Sequence, residues 1–125
     1  MGLRGALYDL LASMQTKCGY DGAAVVKKDG TLIASYLPSC ANPDVFSIMS
    51  ATMLGAAETA KAELKITSNL EEIRVKAGSK VISAKEVNKE LLLICLSTNS
   101  SEEKLKSMLP GLIEEINEIY NQERF

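Results

Sequence analysis

The sequence predicts an α/β three-layer fold of the α+β kind, in which a five-stranded antiparallel sheet carries helices on both faces. Apolar stripes with helical spacing occur near both ends of the chain and in its middle. A hairpin signal follows the first stripe, and three short apolar runs follow the second. The predicted order is helix-β-β-helix-β-β-β-helix. At 125 residues the chain has the length of one domain, which we expect to span residues 1–125.

The first helix and a hairpin open this order. The helix has apolar side chains on one face, at Leu3, Leu7, Leu10, Leu11 and Met14, and Gly19 is placed to end it in a left-handed conformation. Asp21-Gly22 leads into a strand over 23–28, and Asp29-Gly30 leads into another over 31–36. A DG step between two apolar runs is typical of a type I′ hairpin turn, with positive φ at both central residues.

The second helix begins at Asn42-Pro43-Asp44, which supplies a capping side chain, a proline for the first turn and an acid beside the positive helix end. We expect it to run from about Pro43 to Leu64. Its small residues and its apolar side chains on more than one face indicate burial on more than one side. We expect a second subunit to cover the second apolar face of this helix, and the alternative is that a loop or another helix of the same chain covers it.

Three strands form the second half of the sheet. The segment from Leu70 to Ala77 alternates like a half-exposed strand, and Gly78-Ser79 turns it into a strand over 80–85. The last strand, over 90–97, is apolar on both faces, which predicts a central position in the sheet.

The final helix is predicted to open with a capping box at residues 100–103. Its apolar stripe continues from Leu105 to Tyr120. Pro110-Gly111 interrupts the middle of the stripe without changing its phase, so we expect a kink or a helix-to-helix step there.

Composition excludes several function classes. The chain has no histidine, which removes Ser-His-Asp and Cys-His nucleophiles and the usual zinc and non-haem iron sites. With 14 basic and 16 acidic side chains and no tryptophan, it is a poor match for nucleic acid or an anionic membrane. Gly78-Ser79-Lys80 lacks the upstream glycine of a phosphate loop and is better interpreted as a hairpin turn. We expect no catalytic residues, cofactor or metal.

The three cysteines Cys18, Cys40 and Cys95 lie far apart and form no CxxC motif, which is typical of free thiols in a reducing compartment. The start of the sequence lacks a secretory hydrophobic region, and the longest apolar run, Leu91 to Leu96, is too short to span a bilayer. We therefore expect a cytoplasmic protein. Cys40 lies just before a helix start, and it is the one thiol that the positive end of a helix could activate as a nucleophile. An ordinary unreactive loop thiol is the better interpretation.

Two local patterns resemble the roadblock/dynein-light-chain domain family, and its short single-domain prokaryotic members above all. The segments DGAAVV (21–26) and DGTLIA (29–34) resemble that family's first hairpin. The segment SATMLGAAE (50–58) resembles its small-residue central helix. The resemblance covers essentially the whole chain, apart from Pro110-Gly111, where the family usually has an uninterrupted helix.

The resemblance implies a profilin-like roadblock fold and a homodimer. In the family the third strand lies at a sheet edge, two subunits join these edges, and the central helices pack side by side. The dimer interface then maps onto two groups of residues: Val45, Ile48, Met49, Thr52 and Ala56 in the second helix, and Ile73, Arg74, Val75 and Lys76 in the third strand.

Family members bind Ras-like small GTPases, and some accelerate GTP hydrolysis without supplying an arginine finger. The resemblance therefore implies a non-catalytic homodimeric regulator or scaffold of such a GTPase. The three arginines, Arg4, Arg74 and Arg124, are poorly placed to reach a γ-phosphate, which agrees with that mode of action. The alternative is a small-molecule sensor domain of the PAS, GAF or profilin-like type, which requires a polar-lined cavity.

Overall fold

The computed structural model describes residues 2–123. Its elements are α1 (Leu3–Cys18), β1 (Gly22–Lys27), β2 (Leu32–Tyr36), α2 (Pro43–Glu63), β3 (Glu72–Ala77), β4 (Lys80–Glu86), β5 (Leu91–Thr98), a 3₁₀ turn (Asn99–Ser101) and α3 (Glu102–Glu123). The predicted order of helices and strands is confirmed.

All neighbouring strands are antiparallel, in the order β2-β1-β5-β4-β3. The predicted central position of the last strand is confirmed, since β5 lies between β1 and β4. Its side chains alternate between two clusters: Leu91, Leu93 and Cys95 pack with residues of α1 and α3, whereas Leu92 and Ile94 lie beneath α2. Both faces of the sheet therefore carry helices, as predicted.

The type I′ turn predicted at the first hairpin is wrong. Gly30 has a positive φ of 99°, but Asp29 is not among the residues with positive φ. The Asp29 carboxylate instead accepts a hydrogen bond from the Thr31 amide at 2.9 Å, and the register shifts between Val25 and Val26. The turn is instead a three-residue loop, in which the Gly30 amide donates to the Lys27 carbonyl at 2.9 Å, the Lys27 amide donates to the Thr31 carbonyl at 2.8 Å, and Gly30 alone is left-handed.

The predicted start of α2 is confirmed by a side-chain cap. The Asn42 Oδ1 accepts from the amides of Asp44 at 3.0 Å and Val45 at 3.3 Å, so two of the orphan donors at the helix start are satisfied. The helix ends at Glu63, and Lys65 adopts a left-handed conformation with φ 58°. This reversal leads the chain toward β3.

The start of α3 differs from the predicted capping box. A 3₁₀ turn precedes the helix, and the Ser101 hydroxyl donates to the Thr98 carbonyl at 3.0 Å. The helix-to-helix step predicted at Pro110-Gly111 is also wrong, because α3 is one helix from Glu102 to Glu123. Pro110 lies on the exposed side, where its ring meets water rather than the core.

Replacing Pro110 with alanine is expected to stabilise the protein. The proline has no N–H to donate to the Lys106 carbonyl, and proline inside a helix costs about 3 kcal/mol relative to alanine. The free energy of unfolding of Pro110→Ala, measured by urea denaturation, should rise by about 1–3 kcal/mol. Gly111→Ala is the matched variant, since an added Cβ there meets no atom within 4 Å, and it should add about 0.5–1 kcal/mol. A destabilised Pro110→Ala protein would contradict this account.

Candidate dimer interface

Among residues 2–123, the edge strand β3 is hydrogen-bonded on one side only, to β4. The two-residue turn at Gly78-Ser79 makes Ala77 and Lys80 a hydrogen-bonded pair. Because bonded and non-bonded pairs alternate along an antiparallel ladder, Glu72, Arg74 and Lys76 direct their main-chain N–H and C=O groups away from β4. An open edge of this kind is a template for pairing with another chain.

The side chains of β3 alternate between the two sheet faces. Ile73 packs against the cluster beneath α2, and Val75, on the same face, is 43% exposed. On the opposite face Arg74 donates to the Glu102 carboxylate at the start of α3. The edge is therefore apolar on the α2 side and charged on the α3 side.

The outer face of α2 is apolar and uncovered. Val45, Ile48 and Met49 are 52%, 63% and 49% exposed, and the stripe continues through Thr52 and Ala56. These positions lie on one helical face by their spacing. No segment within residues 2–123 covers them, so the alternative cover by a loop or helix is wrong for that part of the chain.

Hydroxyl groups on this face are satisfied within the helix. Thr52 Oγ1 donates to the Ile48 carbonyl and Thr59 Oγ1 donates to the Gly55 carbonyl, each at 2.9 Å. Side chains held in this way need no polar partner from outside. The outer face therefore presents apolar groups, with no unsatisfied threonine hydroxyl, to an incoming surface.

An open cleft of about 500 Å³ joins the two parts of this surface. It lies between the last turns of α2 and the segment that leads into β3, and Ala57, Ala60, Leu64 and Leu70 are among its lining residues. Leu64 and Ile66 are 70% and 49% exposed, so the apolar surface extends past the end of the helix. These two residues are not among those predicted for the interface, although apolar side chains just beyond a helix end are a visible signal.

The cysteines of the described residues are all free, with Cys40 exposed and Cys18 and Cys95 buried. Burial raises the pKa of the Cys18 thiol, and it raises the pKa of Cys95 to about 12. A hydrogen bond from Lys80 lowers the pKa of Asp21 in a small surface cluster with Thr98. No three metal-ligating side chains come together within residues 2–123. No helix in that span is long and apolar enough to cross a membrane.

Two of the three arginines are bonded within the chain. Arg4 donates to the carbonyls of Leu32 at 3.1 Å and Ile33 at 3.2 Å. Arg74 is held by Glu102. Arg124 lies outside the described residues. Neither described guanidinium is extended into solvent without a partner.

A single helix on one face of an antiparallel sheet and a helix pair on the other give this chain a profilin-like fold. Within that fold class, the model of the Roadblock/LC7 domain matches residues 6–97, and the chain belongs to that family. The match ends before α3, so the helix that contains Pro110 lies outside it.

Solved structures of the same fold include two MglB proteins. The gliding protein MglB from Thermus thermophilus has 16% identity and a TM-score of 0.79, with 98% of this chain and 93% of that chain covered. MglB from Myxococcus xanthus has 14% identity and a TM-score of 0.82, with 94% and 90% covered. Profilin IA from Acanthamoeba castellanii has 14% identity and a TM-score of 0.59, with 92% and 96% covered. No curated protein matches the sequence.

Proposed function

We propose that this protein is a non-catalytic homodimeric regulator or scaffold of a Ras-like small GTPase, acting by protein–protein contact. The observation that carries the proposal is the open edge of β3 beside the uncovered apolar face of α2. A second copy joined at β3 would pair the open N–H and C=O groups and cover Val45, Ile48 and Met49 at the same time. The nine predicted interface residues all lie on these two elements.

Membership of the Roadblock/LC7 family supports a GTPase as the partner. We further propose that residues 1–125 act as one domain in the cytoplasm, in keeping with the free thiols of Cys18, Cys40 and Cys95. The clefts between described residues are open surface grooves, so no specific observation favours the small-molecule sensor alternative.

Any stimulation of GTP hydrolysis would come from holding the switch segments of the GTPase in a competent state. An arginine finger requires a guanidinium free to reach the γ-phosphate. The bonds of Arg4 to main-chain carbonyls and of Arg74 to Glu102 support a mechanism without one.

Affinity purification from the native lysate tests the proposed function. Parallel samples should contain GDP or a non-hydrolysable GTP analogue. A small GTPase enriched with one nucleotide would identify a regulator or effector, and equal recovery with both would identify a scaffold. Failure to recover any GTPase from a lysate that expresses one would contradict the proposed function.

Replacing Arg74 with alanine is expected to leave any GTPase stimulation within about twofold of the wild type, whereas an arginine finger contributes about 10³–10⁵-fold. Single-turnover GTP hydrolysis measures this directly. Arg4→Ala is the matched variant, because it removes the other described guanidinium. A loss of about a hundredfold or more in Arg74→Ala, with dimerisation and GTPase binding intact, would contradict the mechanism.

A further inference from the structure

We propose that this interface is self-complementary and therefore selects a second copy of this chain, with β3 paired so that Glu72 lies opposite Lys76 of the second copy. The inference rests on the proposed dimer and adds its register and its specificity. Arg74 would then lie opposite Arg74 of the second copy, at the two-fold axis. Two independent features carry this inference, the charges along β3 and the distribution of side-chain size along α2.

Main-chain geometry restricts the possible registers. Glu72, Arg74 and Lys76 direct their N–H and C=O groups outward, so in an antiparallel two-fold pair they must face one another. A register centred on Glu72 pairs only Glu72 within the strand, one centred on Lys76 pairs only residues 75–77, and both also oppose identical charges at the axis. A register centred on Val75 opposes Arg74 with Lys76, so it also brings like charges together. Like charges directly opposite each other are destabilising, so the registers that remain are centred on Ile73 and on Arg74, and the latter opposes like charges only at its single Arg74 pair.

The register centred on Arg74 pairs more residues of β3 than the register centred on Ile73 does. It overlaps residues 72–76 of both copies, opposes Glu72 with Lys76 twice and opposes Ile73 with Val75 twice. The register centred on Ile73 would pair Glu72 with Arg74, although Arg74 is already held by Glu102 of its own chain. With Arg74 on the axis, each Glu102 offsets the repulsion between the two guanidinium groups.

Side-chain size along the outer face of α2 indicates the same symmetry. The first half of the stripe carries the large exposed side chains Val45, Ile48 and Met49. The second half carries small exposed residues, which are Thr52, Gly55, Ala56, Thr59 and Ala60. Two such helices packed antiparallel about a two-fold axis place the large half of each against the small half of the other. In a parallel arrangement the large side chains would meet each other, and the small halves would leave a gap.

Selectivity follows from this self-complementarity. Glu72 and Lys76 supply both halves of each cross-strand ion pair, and the large and small halves of α2 supply both halves of the helix contact. A related chain with another charge order on its edge strand would oppose like charges at the same positions. The partner that fits both elements is a second copy of this chain.

Charge reversal on β3 tests the register. Glu72→Lys and Lys76→Glu should each weaken the homodimer about tenfold at low ionic strength, because each brings two like-charge contacts into the dimer. An equal mixture of the two variants should form heterodimers with wild-type affinity, since each then supplies the charge that the other lacks. The doubly reversed chain, Glu72→Lys with Lys76→Glu, should form homodimers again. Native mass spectrometry distinguishes these species, and sedimentation equilibrium gives their Kd values.

Controls separate this inference from folding effects and from the proposed function. Glu72 lies opposite Lys85 of its own β4, so the thermal unfolding of each variant should be compared with that of the wild type. Lys89→Glu, at an exposed turn, is the matched charge reversal and should leave the Kd unchanged. A Lys76→Glu protein that dimerises like the wild type, with no heterodimer preference, would overturn the register while leaving the dimer intact. A wild-type protein that is monomeric at all concentrations would overturn the proposed dimer itself.

Discussion

Replacing Ile48 with aspartate is expected to convert the dimer into a folded monomer. The Ile48 side chain is 63% exposed in the single chain, so an aspartate there meets water and folding is little affected. In the dimer the same carboxylate would lie against the apolar face of the second α2. Leaving a charge buried and unpaired costs about 3–5 kcal/mol, so the dimer Kd should rise by at least about a hundredfold.

Ser13→Asp is the matched control for this substitution. Ser13 is exposed on α1, on the opposite side of the sheet, and its hydroxyl donates only to the Leu10 carbonyl of its own helix. Light scattering after size exclusion should give a monomer for Ile48→Asp and a dimer for Ser13→Asp, with similar circular dichroism for both. If the Ile48→Asp protein stayed dimeric, α2 would not be part of the dimer interface, and the β3 edge would be the remaining candidate.

Much of the fold could be predicted because its signals are local. The segment from Leu91 to Cys95 is apolar at every position, which a strand tolerates only where both of its faces are covered, and all five side chains are buried between helices. Asn42 could be assigned as the cap of α2 because capping depends on the two or three residues that follow. Element order and layer arrangement follow from such patterns.

The features that sequence reasoning missed depend on contacts between distant segments. The turn at Asp29-Gly30 depends on where the pairing of β1 with β2 ends, at the hydrogen bond from the Lys27 amide to the Thr31 carbonyl, which no dipeptide signal reports. The contact of Arg74 with Glu102 joins residues 28 positions apart, and it decides how that arginine can be used. Ser101 donates to Thr98 rather than capping α3 because a 3₁₀ turn intervenes between β5 and the helix.

The candidate interface also lies on the less deeply packed side of the sheet. The buried cluster beneath α2 consists of Ala24, Val26, Ala84, Leu92 and Ile94. The cluster beneath α1 and α3 is larger and includes Leu7, Leu11, Leu112 and Ile116, all fully buried. Helix α2 therefore depends on few internal contacts, and the covering of its outer face by a second copy would add to its stability.

Replacing Leu112 with alanine is expected to produce the largest loss of stability among the substitutions considered. Leu112 has no exposed surface and lies in the cluster that α3 forms with α1 and the sheet. Removing a buried leucine side chain costs about 2–5 kcal/mol, because the lost transfer free energy adds to that of the cavity. Ile113→Ala is the matched control on the same helix, since Ile113 is only partly buried, and it should cost about 1 kcal/mol.

The stability lost in Leu112→Ala should be measured in a protein that also carries Ile48→Asp. In a dimer the free energy of unfolding depends on protein concentration, so a core substitution and a weakened interface would be mixed in one number. In the monomer, urea denaturation reports the core alone, and the difference between Leu112→Ala and Ile113→Ala then measures the anchoring of α3. If the two variants lost equal stability, α3 would be held by its whole inner surface rather than by its buried stripe. The tolerance of Pro110 inside α3 would then depend on contacts along the whole inner surface of the helix, and not only on the exposure of its ring.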